Sequence, residues 1–382
     1  MSERAAITPG QTLGVLGGGQ LGRMFAQAAQ RMGYSVAVLD PDTESPAGRI
    51  AEHHVCAAYT DPQALDKLAG LCAAVTTEFE NVPARSLRIL ADSVPVCPGA
   101  AAVEVAQNRN REKGFFRACG VATVAFAPVN DGDALRAAAA SIGFPACLKT
   151  AQLGYDGKGQ MRVADLTEAV SAYAKLQSVE CIWERLVPLQ REVSVIIARN
   201  ARGHSVTFPV AENQHRDGIL AVTLAPARID GGLADQAQAA THKIAQELDY
   251  QGVLAVEYFV TRDGELLANE MAPRPHNSGH YSIDACAVSQ FEQQVRALCN
   301  LPLVDPAQHS PAVMMNLLGD LWEGDAVPHW TRALEVQGCS LHLYGKREAR
   351  PGRKMGHLTC IAPAVQDALR KAESAYARLR GQ

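Results

Sequence analysis

The chain has 382 residues, 47% of them hydrophobic and 20% charged, with a formal net charge of −4. That length exceeds one ordinary core, so two or three domains of a soluble globular class are expected, with no general nucleic-acid surface. No apolar run approaches the roughly 20 residues that span a bilayer, and the ten cysteines form no C-x-x-C pair that would indicate a zinc cage or a disulfide framework. The cysteines read as small core hydrophobes of a reducing cytosol. The opening MSERAAITPGQ lacks a basic-then-apolar leader, so a cytoplasmic location is expected.

Thr12-Leu13-Gly14-Val15-Leu16 predicts a buried strand, followed by Gly17-Gly18-Gly19-Gln20-Leu21-Gly22. Residues 21–32 carry helical spacing and stop at Gly33, and 35–39 predicts a second strand ending in Asp40. A βαβ unit with G-x-G-x-x-G at its first turn matches a dinucleotide-binding fingerprint. The same glycines equally allow close helix–strand packing or approach of another ligand, and Asp40 equally caps a loop. Strand-like 73–77 leads to Glu78-Phe79-Glu80-Asn81-Val82. That places acids at the carboxyl end of a parallel strand, where ligands of open α/β sheets bind; a polar strand-to-helix loop is the alternative.

Residues 110–119 and the Ala-rich 134–142 predict helices, and 146–150 a strand carrying Lys149. Leu153-Gly154-Tyr155-Asp156-Gly157-Lys158-Gly159 then precedes a strand over 160–164. Gln160 follows Gly159 where a Walker motif needs Lys then Ser or Thr, so this is not a P-loop. A glycine-rich hairpin loop can instead cover phosphates with its backbone N–H groups while a neighbouring lysine supplies charge. A plain surface hairpin remains the other reading.

Strands are predicted at 179–184, 192–198 and 205–210, a polar loop with His215 at 213–218, and an amphipathic helix over 233–248. Two further strand-like runs, 253–260 and 265–271, flank Arg262-Asp263-Gly264, a strong hairpin signal. With Asp263 and Gly264 as a two-residue turn, Arg262 faces Glu265 and Glu257 stands opposite Glu270. The same face then carries Ala255, Phe259, Leu266 and Ala268. Directly opposed carboxylates repel by roughly 3 kcal/mol at an effective dielectric near 20. Either a cation such as magnesium lies between them, or both are solvated on an open sheet face.

Ala272-Pro273-Arg274-Pro275-His276-Asn277-Ser278-Gly279-His280 predicts a rigid polar loop suited to an anion. Beyond Pro302 short strands alternate with turns. Residues 341–346 and 352–357 form a basic hairpin-like pair bearing Lys346, Arg347, Arg353 and Lys354. Those cations suit either a phosphate site or a solvated turn. The segment 365–380 predicts a structural helix.

The segments LGGGQLGRM, TTEFENV, GYDGKGQ, NEMAPRPHNSGHYSIDAC and LYGK…RPGRKMGHLT, in this order, resemble the ATP-grasp superfamily. Within it they resemble the ligases that carboxylate 5-aminoimidazole ribonucleotide in purine biosynthesis. The resemblance implies a mixed α/β and α+β fold in three parts. These are an open parallel N-terminal α/β (pre-ATP-grasp) domain over 1–108, an ATP-grasp module of two β-rich lobes over 109–302, and a small C-terminal β-rich domain over 303–382. It implies ATP and Mg2+ as cofactors, bicarbonate and 5-aminoimidazole ribonucleotide as substrates, carboxyphosphate as intermediate, and a homodimer without nucleic-acid or membrane partners.

Carried over by position, Arg109, Lys149 and the loop Leu153, Gly154, Tyr155, Asp156, Gly157, Lys158 and Gly159 would hold the nucleotide. Glu184, Arg185, Leu186 and Val187 would line the adenine pocket, with Glu192 on the ribose, and His215 and Asn269 also on the nucleotide. Glu257 and Glu270 match the magnesium carboxylates. Asp156, Lys158, Arg274 and His276 are the implied catalytic residues, Asp156 as a candidate proton acceptor. Tyr155, Asp156, Arg274, Asn277, Lys346, Arg353 and Lys354 would bind the ribonucleotide, with Gln20 and Glu78 reaching it from the first domain. That places a mononucleotide, and no NAD, at the GGGQLG turn. Leu153 stands where the related loop often has glycine. Ala272 stands where many ATP-grasp enzymes have a metal-binding Asn.

Overall fold

The computed structural model describes residues 5–154, 158–322 and 327–381. Tyr155, Asp156 and Gly157 therefore lie outside the described residues, and with them the proposed proton acceptor.

The first sheet is parallel: β1 (Thr12–Leu16), β2 (Ser35–Leu39), β3 (His53–Val55) and β4 (Ala74–Thr77), in the order β3-β2-β1-β4. Leu13, Val15, Val36 and Val38 are fully buried, as expected of continuous apolar strands covered on both faces. The helix Gln20–Arg31 lays Leu21, Met24 and Phe25 on this core.

A second sheet is antiparallel, with β5 (Phe126–Val129), β6 (Ala146–Thr150), β7 (Gln160–Val163) and β8 (Cys181–Arg185) in the order β5-β8-β6-β7. The helices Gly132–Ile142 and Leu166–Lys175 supply Leu135, Ala138, Ala169 and Ala172 to its core around Trp183.

The third and largest sheet comprises β9 (Leu189–Arg199), β10 (Ser205–Thr207), β11 (Ala211–Arg216), β12 (Ile219–Ala225), β13 (Gly252–Thr261), β14 (Leu266–Ala272), β15 (Ala312–Leu318), β16 (Cys339–Leu343) and β17 (Lys354–Ile361). Its order is β14-β13-β9-β11-β12-β15-β17-β16, with β10 on β9. Thus the C-terminal strands extend the same sheet: β15 pairs antiparallel with β12. The helix Val365–Leu379 covers this end.

The helix Gln290–Leu298 joins the first sheet to the third. Phe291, Val295 and Leu298 enter the N-terminal core. Fully buried Gln294 accepts the Val253 N–H at 2.5 Å and donates to Thr76 Oγ1 at 2.9 Å. Among the described residues no helix is long and apolar enough to cross a membrane.

The β13–β14 hairpin corrects the expected turn. Thr261 faces Glu265 through an N–H to carbonyl bond of 3.0 Å, so Arg262, Asp263 and Gly264 form a three-residue loop with Gly264 at φ +83°. The left-handed region at the third loop position explains the glycine. Arg262 consequently does not face Glu265, and Phe259 pairs with Leu267. Yet Glu257 does stand opposite Glu270, because a bulge in β14, facing the Glu257–Tyr258 step of β13, restores the register lost at the turn. A bulge puts two residues of one strand against one of the other. Here it inserts Asn269 and turns both Asn269 and Glu270 toward the cleft below.

Candidate active site

A cleft of about 1290 Å³ lies between the second and third sheets, closed by the first sheet's carboxyl edge and the turn before β17. Every expected site residue within the described segments lines it except Gly159. A Cβ at Gly159 would lie 2.7 Å from Thr150 Oγ1, so this glycine serves close packing of the loop's base.

The β6–β8 wall is charge-balanced. Glu184 lies 2.6 Å from Lys149 Nζ and 3.3 Å from Lys113 Nζ. Burial opposes its ionisation, but the two ammonium groups overcome this and hold the carboxyl at about 2. Glu184 is therefore a buried anion whose charge aims Lys149 into the cleft. Lys113 and its buried neighbour Glu112, on the helix Arg109–Ala118, were not singled out in the sequence. Both stand inside the QNRNREK run, and Glu112 accepts the Met271 N–H at 2.6 Å. Of the two arginines in that run, Arg109 faces the cleft and Arg111 is exposed.

The floor has too few cations for its acids. Three strands align Ser194, Glu257 and Glu270 in one cross-strand row. Burial and the charge of Glu270 raise the Glu257 carboxyl. Burial also works against Glu270, but the Arg109 guanidinium, bonded to it at 2.8 Å, outweighs that and holds it low. Beside them, Asn269 Oδ1 is buried with no hydrogen-bond partner among the described residues. Two opposed carboxylates and an orphaned amide oxygen form an all-oxygen donor set that fits a hard divalent cation. Ala272 brings no oxygen to the floor, and the bulge brings the one at Asn269.

Facing the floor, His276 Nε2 lies 3.4 Å from Glu257 Oε1. Burial and the charges of Arg274 and Lys354 push the imidazole down to about 3, so the contact is made by a neutral ring. Gln290 clamps the loop by accepting the His276 N–H at 2.9 Å and donating to its carbonyl at 2.7 Å. Arg274 Nε donates to Glu80 Oε2 at 2.5 Å, tying the same loop to the first sheet. Asn277 exchanges amide bonds with buried Asn316 on β15. His215 Nδ1 is 2.7 Å from Glu192 Oε2; although burial lowers its pKa, that contact and the charge of Glu257 raise it overall. Lys346 donates to the Lys354 carbonyl at 2.8 Å, and Arg350, which the sequence reading passed over, joins Arg353 and Lys354 along the cleft. Leu153 adopts φ +61°, the left-handed conformation for which glycine is favoured.

The glycine-rich turn after β1 is engaged within the chain. Glu78 accepts the N–H groups of Gly19 at 2.5 Å and Gly22 at 2.8 Å, while Asp40 accepts that of Gly18 at 2.6 Å. A Cβ at Gly19 would lie 2.4 Å from Glu78 Oε1. The amides that hold a pyrophosphate in a dinucleotide fold are thus taken by carboxylates.

Family models match in chain order: a ribonucleotide synthetase preATP-grasp domain over 10–107, an ATP-grasp domain over 114–291 and a phosphoribosylaminoimidazole carboxylase C-terminal domain over 312–371. N5-carboxyaminoimidazole ribonucleotide synthase of Brucella melitensis is 47% identical over 363 residues, covering 94% of this chain and 99% of that protein. The chain belongs to the N5-carboxyaminoimidazole ribonucleotide synthase family. An ADP complex of such a synthetase superposes with a TM-score of 0.93 at 43% identity, covering 98% of both chains. The Aspergillus clavatus synthase, solved with ADP and 5-aminoimidazole ribonucleotide, gives 0.88 at 32% identity over 97% of this chain and 99% of that one. The expected three-part fold is that of the family.

Proposed function

We propose that the chain carboxylates the exocyclic amine of 5-aminoimidazole ribonucleotide, consuming ATP and bicarbonate and releasing ADP and phosphate. Family membership supports the reaction. The observation that carries the site is the Glu257–Glu270 row beneath a cleft ringed by Lys149, Arg274 and Lys354.

Glu257, Glu270 and Asn269 Oδ1 are the oxygens that would hold Mg2+. When bound, that cation supplies charge neutralisation across the phosphates. Lys149, kept ionised by Glu184, approaches the phosphates from the opposite wall, with Gly154 and Lys158 lining the cleft beside it. The backbone at Arg185, Leu186 and Val187 borders the base, and Glu192 with His215 the ribose side. Bicarbonate oxygen attacks the γ-phosphorus and ADP leaves, giving carboxyphosphate. Its breakdown to carbon dioxide and phosphate delivers carbon to the amine, which loses a proton, with Asp156 the acceptor. Arg274 and the neutral His276 offer N–H donors to the carboxylating anion, and Lys346, Arg353 and Lys354 with Asn277 receive the ribonucleotide. Gln20 and Glu78 border it from the first domain.

A symmetric dimer, a cytoplasmic location and the division at 108/109 and 302/303 complete the proposal. The last boundary follows chain order; the β12–β15 pairing crosses it. Phosphate release from ATP that requires both bicarbonate and 5-aminoimidazole ribonucleotide is the expected result. Release indifferent to either, or supported by formate and glycinamide ribonucleotide instead, overturns the assignment.

A further inference from the structure

Behind His276 runs a line of buried polar side chains that touches none of the proposed substrates. Thr223 Oγ1 donates to Asn213 Oδ1 at 3.1 Å, Asn213 Nδ2 to Ser194 Oγ at 3.0 Å, and Ser194 Oγ to Ser278 Oγ at 2.8 Å. Ser278 Oγ is 2.9 Å from His276 Nδ1, which the Ser278 backbone N–H also approaches at 3.3 Å. Thr223, Ser194 and Ser278 are fully buried, and Asn213 nearly so. Such groups are costly unless they are hydrogen-bonded, so their alignment on one ring nitrogen calls for a purpose.

The direction of the line follows from the donors. An amide nitrogen only donates, so the Asn213 Nδ2 bond makes Ser194 Oγ an acceptor and leaves its own proton for Ser278. Ser278 Oγ, having accepted, turns its proton to His276 Nδ1. The backbone N–H of Ser278 cannot be reversed and also points at Nδ1. That nitrogen must therefore keep its lone pair, and a neutral ring carries its proton on Nε2.

We propose that Ser278, Ser194, Asn213 and Thr223 are positioning residues that lock His276 as the Nε2–H tautomer, so that it serves the reaction as a hydrogen-bond donor over Glu257. The inference rests on the proposed function only for the reaction His276 serves; the tautomer itself is a property of the protein alone. The cross-strand register supports it. Ser194 on β9 is the direct partner of Glu257 on β13, and Asn213 on β11 the partner of Thr223 on β12. One sheet thus places both the metal carboxylate and the line that orients the ring above it.

The full-length protein labelled with 15N-histidine tests this. The His276 signals are assigned as those lost in His276→Gln, and their nitrogen shifts report which nitrogen is protonated. The Nε2–H pattern is expected in the wild type; an Nδ1–H pattern overturns the proposal without need of any further variant. Ser278→Ala and Ser194→Ala should move the His276 shifts and lower kcat about tenfold, with KM for ATP within about twofold. Ser194→Thr, which keeps the hydroxyl on a strand residue, should recover most of the rate. Wild-type kcat and shifts in both alanine variants also overturn it. If His276→Gln itself leaves bicarbonate-dependent turnover intact, the role given to His276 falls, while the wild-type spectrum still decides the tautomer.

Discussion

Two buried acidic centres face each other across the cleft and are built on opposite electrostatic terms. On the β6–β8 wall, Glu184 has Lys113 and Lys149 for company and is an anion held at about 2. On the floor, Arg109 pairs with Glu270 alone, and the Glu257 carboxyl is pushed up by burial and by its neighbour's charge. The first centre is complete with the chain's own side chains. The second is left in deficit, because removing two like charges from water without compensation is expensive, and the proposed cation would complete it. Balance marks the part that positions, and deficit marks the part that binds.

The sharpest way to break the contrast is to neutralise the deficient side. Glu270→Gln removes one proposed cation ligand and one charge from the floor. It should leave the melting temperature near that of the wild type, since it also relieves repulsion. Turnover should fall roughly 10³-fold, because charge neutralisation by a metal is worth several kcal/mol. Steady-state assays over a magnesium series give the comparison; a near-wild-type rate at limiting magnesium would remove Glu270 from the metal site.

The balanced side should respond in stability. Glu184→Gln strands two buried ammonium groups and should cost about 3 kcal/mol near neutral pH. The sign of its pH dependence follows from the depressed pKa. The folded carboxyl at about 2 lies below an unfolded value of roughly 4.3. The wild-type advantage is therefore fully present above pH ~4.3 and disappears as pH falls toward 2. Denaturant unfolding of both proteins between pH 7 and 3 measures the gap, and a gap that widens on acidification contradicts the pairing.

How far the sequence disclosed this contrast depended on whether partners were near in the chain or far. The strands, the N-terminal βαβ unit and the motif order were legible, because periodicity and glycine placement are local. So was the family, and with it the residues that line the cleft. Glu184 with Lys113 and Lys149 was not, since three separate elements bring them together. Nor was the filling of the GGGQLG turn by Glu78, which lies 59 residues beyond Gly19. A fingerprint specifies amides that point outward, but not which acid answers them. The hydrogen-bond line behind His276 is likewise assembled from β9, β11, β12 and the loop after β14.

The Glu257–Glu270 register is the instructive case, because the expected pair stands although the expected turn does not. A two-residue Asp263–Gly264 turn and a three-residue loop differ by one position, and the bulge at Asn269 removes that difference. The loop and the bulge therefore carry separate burdens. Gly264→Ala forces a side chain into φ +83° and should destabilise by about 1–2 kcal/mol. If the bulge, anchored by the Glu112 bond to the Met271 N–H, sets the position of Glu270, then kcat and the magnesium dependence of Gly264→Ala remain those of the wild type. A rate loss comparable to that of Glu270→Gln would mean that the turn dictates the register after all. The smallest perturbation thus asks whether the floor is held from the loop's end or from within the strand.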